Sequence, residues 1–321
     1  MYVRCVNEAP GTCIHFDGDH DGPTKQIRDF DVTNVRIENF DIGVRACSLR
    51  YHSQITGCPI CARIGFWHEG KSAEVSINDC MFEPISTADT TSAGIYCFDS
   101  DSNIRPEGLF VSNCTITYFN RAIKVATSCL QLNFANCWLE TTSADGVVVE
   151  LKPQASNTGL DGFIMTGCNM IGKIFIGNYN ANGSYTRNTI IQGCNIRIDK
   201  SGSAFTFGKV ERAVVTGCIV EYFPDDEAGI LAISDDDTYD ILMSDIKGRG
   251  FTYGWTSGGR TQNLDLANIN LGSVTWYAAG GARYRNCKGA ADTPSDPPMY
   301  NEVRRVDNVL KYWDGTAWQA M

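Results

Sequence analysis

No apolar stretch in this sequence approaches the roughly 18 residues that a membrane-crossing helix requires. Met1 to Pro10 holds no apolar core of the kind an export signal carries, so synthesis in the cytoplasm is expected. Positive charge is also short: Lys and Arg number 27 against 37 Asp and Glu, a net charge of −10. Nucleic acid is repelled at long range by a chain of that sign, although a local cationic patch is still allowed. Histidine occurs four times only, at positions 15, 20, 52 and 68. No Ser/His/Asp or Cys/His arrangement follows from that spacing, and no Gly-rich phosphate loop stands between a strand and a helix. Nowhere do about ten consecutive residues combine a 3.6-residue period with caps, so helices are not expected.

What is present is a repeat. Alternating apolar residues lead to Asn, Asp or Gly, then to Cys or an apolar residue, here called the pivot. The pairs are Asn39-Phe40, Gly57-Cys58, Asp79-Cys80, Asn113-Cys114, Asn136-Cys137, Gly167-Cys168, Gly193-Cys194, Gly217-Cys218, Asp245-Ile246, Asn268-Ile269 and Asn286-Cys287. Their ten gaps span 247 residues, a mean of 24.7 with a range of 18 to 34. A constant core pattern with variable spacing means coils of one architecture with loops of different length at their corners. Short β-branched runs follow most pivots, as at 94–98, 122–126, 146–150, 204–208 and 229–233. Strand follows strand too closely for a helical crossover, so each coil stacks directly on the last at about 4.8 Å. The expected fold is all-β: a single-stranded right-handed parallel β-helix of about eleven to twelve coils with a small C-terminal extension. Residues 1–288 form the solenoid and 289–321 a linker and a cap or trimer-contact segment, with a strand pair about Asp314-Gly315.

Eight of the eleven pivots are Cys. Cys is a small, readily buried residue, and parallel stacked side chains do not point at one another as a disulfide requires. Most of the 14 cysteines therefore read as buried free thiols. The Cys58 and Cys61 pair is half a zinc site at most, and Asp17, Asp19 and Asp21 lack the spacing of a calcium loop. Neither metal nor cofactor is expected. The Asn, Asp or Gly before each pivot suits a left-handed turn.

Variable coils with Asn-Cys and Gly-Cys turns resemble the pectate-lyase-like β-helices, and among them the bacteriophage tailspikes and capsule depolymerases. The ending from Val309 to Gln319 is similar to short endings of phage tail proteins. Two features of tailspikes, an N-terminal attachment domain and a helix capping the first coil, have no counterpart before the β-helix pattern at Met1. The resemblance implies a virion-tail protein, attached to a tail or baseplate protein, whose partner is a bacterial surface polysaccharide. It implies depolymerisation, by hydrolysis or by lyase chemistry, or receptor binding without catalysis.

Two surface columns carry candidate chemistry. Three residues after successive pivots stand Glu83, Thr117, Glu140, Ile171, Arg197 and Glu221. Glu83 and Glu140 lie two coils apart, about 9.6 Å along the rod, close to the carboxylate separation of inverting glycosidases. Tyr118 and Trp138 stand ready to stack on sugar rings, with Arg197 as a further substrate contact. On the second strand of each coil, Tyr96, Lys124 and Val148 are counted as neighbours, with Glu150 on the same face and Asp99 and Asp101 beyond Tyr96. Carboxylates there suit a hydrolase, whereas Lys124 and Tyr96 suit a lyase that removes and returns a proton. A homotrimer is expected, because outward apolar residues such as Ile171, Phe175 and Leu231 need cover.

Overall fold

The computed structural model describes residues 1–4, 11–18, 27–50, 52–100, 104–153, 159–177, 185–224, 229–257, 261–272, 274–276 and 282–287. It also describes the backbone of 303–306, 309–313 and 318–320. The described chain is all strand and turn, wound as a right-handed parallel β-helix. Its first face is an eleven-stranded parallel sheet whose strands follow one another in chain order, from Asp31–Thr33 to Ala282–Arg285. The second face begins just after each pivot, as in Met81–Glu83, Trp138–Thr141 and Asn195–Ile198. A third face is formed by strands such as Ala93–Cys97, Arg121–Val125 and Val147–Leu151. The second and third faces join into one 18-stranded sheet because Arg36–Cys47 and Pro59–Glu69 run unbroken around the corner between them.

Nine turns carry all three strands, fewer than the eleven to twelve coils expected from the pattern. The count differs because the pattern marks first-face strands, which number eleven, while the end turns are incomplete. After Thr261–Ala267, isolated bridges at Asn270 and Thr275 are what continues the second and third faces among the described residues. The first pivot also moves. Val32 pairs with Ile55 and Thr33 with Thr56, which aligns Asn34-Val35, not Asn39-Phe40, with Gly57-Cys58. Asn39 imitated the motif because it too has a positive φ, at a register shift within the long strand.

The residue before each true pivot does what its chemistry allows. Asn34, Gly57, Asp79, Asn113, Asn136, Gly167, Gly193, Gly217, Asp245, Asn268 and Asn286 all have φ between 52° and 65°. That region is costly for most side chains and cheapest for Gly, Asn and Asp. The turn aims each backbone N–H at the next coil; Asn113, for example, donates to the Ala135 carbonyl at 3.0 Å and Gly193 to Thr216 at 3.0 Å. A second left-handed column stands at the start of the first-face strands, at Glu74, Gly108, Gln131, Gly162, Asn188, Arg212, Asp240 and Asn263. The sequence hid it, because Glu, Gln and Arg do not announce such a turn.

The pivots line one inner corner. Cys58, Cys80, Cys114, Cys137, Cys168, Cys194 and Cys218 are buried, and all thirteen described cysteines are free thiols. Each pivot thiol lies against the carbonyl two residues back and one from the previous turn; for Cys114 these are Ser112 at 3.2 Å and Ile77 at 3.7 Å. A hydrogen bond to the preceding thiol and burial hold Cys194 at about 12 and push Cys218 upward as well. Because all seven of these thiols are buried, a thiol reagent is expected to reach them slowly in native protein, with fast labelling only after unfolding. Several ladder positions labelled quickly in mass-spectrometric peptide maps would contradict that. Cys61 points away from Cys58, half-buried on the second face with its thiol toward the Pro84 carbonyl, so the two do not form a metal pair.

Along the inner columns like residues stack on like, as Ile55 on Ile77 and Ile95 on Ile123, and rings meet across neighbouring columns, as Phe134 does with Phe163 and Phe207 with Trp255 at centroid distances of 5.6 and 5.7 Å. Leu231, expected outward, is buried within its own chain as well. Full burial of such a side chain contributes about 1.5–3 kcal/mol. His68 breaks the rule. It sits fully buried between Ala46 and Cys97 in register, stacked beside Phe66. Among the described residues neither ring nitrogen has a hydrogen-bond partner of normal geometry, although the Glu107 backbone opposes the shift that burial causes. Burial lowers its pKa to about 4. Below about pH 6.5 the unfolded chain binds a proton that the folded chain refuses until about pH 4, so stability falls as pH falls through that window. The loss amounts to about 3 kcal/mol at the acid end. His68→Leu is expected to flatten this part of the stability profile, read as the difference in urea midpoint between variant and parent from pH 7 to pH 4.

In the C-terminal segment, Val303–Val306, Val309–Trp313 and Trp318–Ala320 form an antiparallel three-stranded sheet. Its last two strands flank Asp314-Gly315, where the strand pair was expected; the turn itself and the linker at 288–302 lie outside the described residues.

Candidate functional site

The second-face column holds from Glu140 onward. Glu140 pairs with Ile171, Ile171 with Arg197, Arg197 with Glu221 and Glu221 with Arg249 on successive turns. On the other side, Met81 and Phe82 pair with Thr115 and Ile116, placing Glu83 at the head of the same column. Between the two glutamates the register shifts: Ile116 faces Leu139, but Phe119 faces Thr141. Two residues, Thr117 and Tyr118, therefore oppose Glu140, which is a β-bulge. Thr117 was expected to point outward; the bulge turns it into the core, where it is 6% exposed. Tyr118 takes a positive φ of 67° and is thrown outward instead, 44% exposed.

Trp138 stands two residues before Glu140 on the same strand, 43% exposed. Glu140 thus has Trp138 along its own strand and Tyr118 on the neighbouring turn. Glu83 and Glu140 are both half-buried, and neither makes a hydrogen bond or ion pair among the described residues. The loop at 84–92 closes this area: Thr142 donates to the Thr87 carbonyl at 3.2 Å, and Arg63 donates to the Thr91 hydroxyl at 3.3 Å. The loop thus forms the border between the second and third faces.

Arg197 lies two turns beyond Glu140. Its Nε donates to Asp199 at 2.7 Å, and its guanidinium lies over the Phe223 ring at 4.4 Å. Arg249 approaches the same ring at 5.6 Å.

On the third face the counted column needs one correction. Tyr96 pairs with Lys124, as expected, but Lys124 pairs with Glu150. Val148 is an inner residue, fully buried beside Val149. The strand enters from a longer corner in which Gly146 has φ 68°, so counting from that glycine lands two residues early. The true column runs His15, Arg45, Trp67, Tyr96, Lys124, Glu150, Phe175.

Its centre is an aromatic platform: Trp67 and Tyr96 lie 5.3 Å apart, Tyr96 and Phe98 5.6 Å, the latter nearly parallel. Arg45 covers Trp67 at 4.9 Å and Lys124 covers Tyr96 at 5.5 Å, so a cation stands at each end. Arg45 is held by buried Glu69 at 2.6 Å, and Arg63 by Asp41 at 2.5 Å. Burial raises the Tyr96 phenol above its ordinary value, an effect that nearby Arg63 opposes and Glu150 reinforces. Glu150 itself lies 3.6 Å from Arg121, which also pairs with Asp145 at 2.7 Å.

Asp99 does not join this surface. It is 5% exposed, and its carboxylate accepts the Gly70 N–H at 2.8 Å, tying one corner to the next. Asp101 lies outside the described residues. Sequence reasoning missed Arg45, Arg63 and Trp67 because the strands Arg36–Cys47 and Pro59–Glu69 run unbroken from the second face to the third, with no turn to mark where the third begins. The usable signal is a small residue at the corner. Gly65 is inner, and a Cβ there would stand 2.6 Å from the Gly94 carbonyl. Aligning Gly43, Gly65, Gly94 and Ala122 places Arg45, Trp67, Tyr96 and Lys124 in one column two residues later.

No protein-family model matches the chain, and no curated protein matches it.

Proposed function

We propose that this protein is a phage tailspike that binds a bacterial surface polysaccharide along turns three to five and cuts it by hydrolysis. The observation that carries this reading is the second-face cluster: two outward carboxylates, Glu83 and Glu140, without partners among the described residues, with the exposed rings of Tyr118 and Trp138 beside the bulge between them. A carboxyl held by an arginine is committed, whereas these two are available as general acid and general base. Their spacing of about two turns leaves room for a water between them. Arg197 extends the same column, with its guanidinium over the Phe223 ring of a neighbouring row, as a polymer lying along the rod requires. The third-face platform, with Arg45, Arg63 and Lys124 around Trp67 and Tyr96, favours an anionic sugar such as a uronate. The protein would act at the host cell surface from the virion tail, attached to a tail or baseplate protein.

A lyase reading rests on Lys124 and Tyr96, in register on neighbouring turns with Arg63 and Arg121 close by to balance a substrate carboxylate. Incubation with capsule and lipopolysaccharide from a broad set of bacteria separates the cases. New reducing ends without unsaturated uronate absorbance are expected; that absorbance would indicate the lyase, and binding without either would indicate a receptor-binding protein. Failure to bind any of the glycans would overturn the proposal.

A further inference from the structure

Glu83 and Glu140 stand on different turns, with the turn that carries the bulge between them. Each turn of a solenoid rests only on its neighbours, so a spacing across two turns is set by two separate contacts unless one group spans both. Thr142 spans both. Glu83 ends the strand Met81–Glu83, and the loop at 84–92 leaves directly from it. Thr142 follows Glu140 by two residues, just past the strand Trp138–Thr141. Its hydroxyl lies 3.2 Å from the Thr87 carbonyl in that loop and 3.0 Å from the Tyr118 carbonyl at the bulge. Its backbone N–H donates to the Phe119 carbonyl at 3.1 Å.

Both things that Thr142 holds need holding. Tyr118 has a φ of 67°, a left-handed conformation that is sterically costly for a side chain of that size. The loop is organised on itself. The Asp89 carboxylate accepts the Thr91 N–H at 2.8 Å and the Thr91 hydroxyl at 2.7 Å, and the Asp89 carbonyl accepts the Ser92 hydroxyl at 2.9 Å. A loop built that way moves as a unit, so its outside ties decide where it sits. Arg63 ties it from the preceding turn, through the Thr91 hydroxyl at 3.3 Å, and Thr142 ties it from two turns ahead.

We propose that Thr142 is a positioning residue of the two-carboxylate site. By holding the loop and the bulge to the strand of Glu140, it fixes Glu83 and the Tyr118 ring relative to Glu140. A hydroxyl carries one proton, which Thr142 spends on carbonyls, so its part is placement rather than proton transfer. Placement matters because acid and base must keep a separation that admits one water. This inference rests on the proposed hydrolysis at Glu83 and Glu140 and adds a residue outside that pair.

Thr142→Val keeps the shape of the side chain and removes the donor. In the free protein, the amides of Asp89, Thr91, Ser92 and Asn120 are expected to exchange faster than in the parent, while the first-face strands stay unchanged. Kinetics follow on the capsule or lipopolysaccharide from which the parent releases most reducing ends. There kcat is expected to fall at least about tenfold, since a misplacement of about 1 Å can cost about 10²-fold, with KM changed less than kcat. Thr142→Ser keeps the hydroxyl and is expected to restore both slow exchange and kcat. A loss of packing alone would not be repaired by Ser, which lacks the methyl group. Parental kcat or unchanged exchange in the Val variant overturns the proposal, and so does a loss that Ser does not restore. Glu140→Gln on the same glycan separates this result from the reading it rests on. An inactive Glu140→Gln beside a fully active Thr142→Val removes the placement role alone. A fully active Glu140→Gln, or a parent that cuts none of the glycans, removes both.

Discussion

Glu140→Gln is expected to fold as the parent does, to keep its affinity for the glycan and to lose depolymerisation by on the order of 10²–10⁴-fold. Folding survives because the carboxylate points outward and gives up no hydrogen bond or ion pair among the described residues. Affinity survives because Trp138 and Tyr118, the exposed rings beside it, are unchanged. Glu83→Gln is expected to behave alike, since an acid without its base, or a base without its acid, leaves the same step uncatalysed. Asp99→Asn makes the useful contrast. Its carboxylate is buried on the Gly70 N–H, so the variant is expected to lower thermal stability, by about 1.5–3 kcal/mol, rather than turnover. Reducing-end assays beside glycan-binding isotherms distinguish the outcomes. Full activity in both glutamate variants would move the chemistry to the third face or to a junction between copies.

Cys168→Asp is expected to cost at least about 3 kcal/mol, the largest stability change for a single substitution in the thiol ladder. Cys168 is fully buried, its sulfur 3.6 Å from the Thr166 carbonyl and 3.8 Å from that of Phe134. A carboxylate in that place would face two carbonyl oxygens that cannot donate to it, with the Cys137 N–H at 3.4 Å as the donor the thiol already uses and the thiols of Cys137 and Cys194 to either side. Because each coil rests only on its neighbours, the damage is local at first. Amide exchange should quicken in the turns around residues 137–194 before it does elsewhere, and the urea midpoint should fall. Cys168→Ala, which leaves a small void and no charge, should cost far less. Equal midpoints for the Asp and Ala variants would mean that water reaches the ladder.

Turn chemistry and the alternation of apolar residues made the fold legible in the sequence. Left-handed backbone tolerates few residue types, and so the ten pivots from Cys58 onward could be placed from Asn, Asp and Gly alone. Pairing along the second face was legible as well, wherever strands start directly after the pivot. Legibility failed where the chain changes register without changing composition. Nothing in the sequence around Thr117 and Tyr118 announces a bulge, yet the bulge buries the first and exposes the second. Asn39 carries turn chemistry but sits within a strand. Gly146 opens a corner rather than a strand, which displaced the third-face count by two residues.

By itself, the sequence determined the parallel β-helix, its buried free thiols, the left-handed turn before each pivot and the outward column from Glu140 to Glu221. These are local properties, set by what one residue and its near neighbours permit. Only the tertiary structure decided that Asp99 is a buried corner tie, that Glu150 rather than Val148 stands next to Lys124, and that Trp67 and Arg45 complete an aromatic and cationic platform. Each of those depends on which residues of different turns come to the same height. That alignment is fixed by backbone hydrogen bonds between coils, across corners whose length varies from turn to turn, and no single repeat contains it.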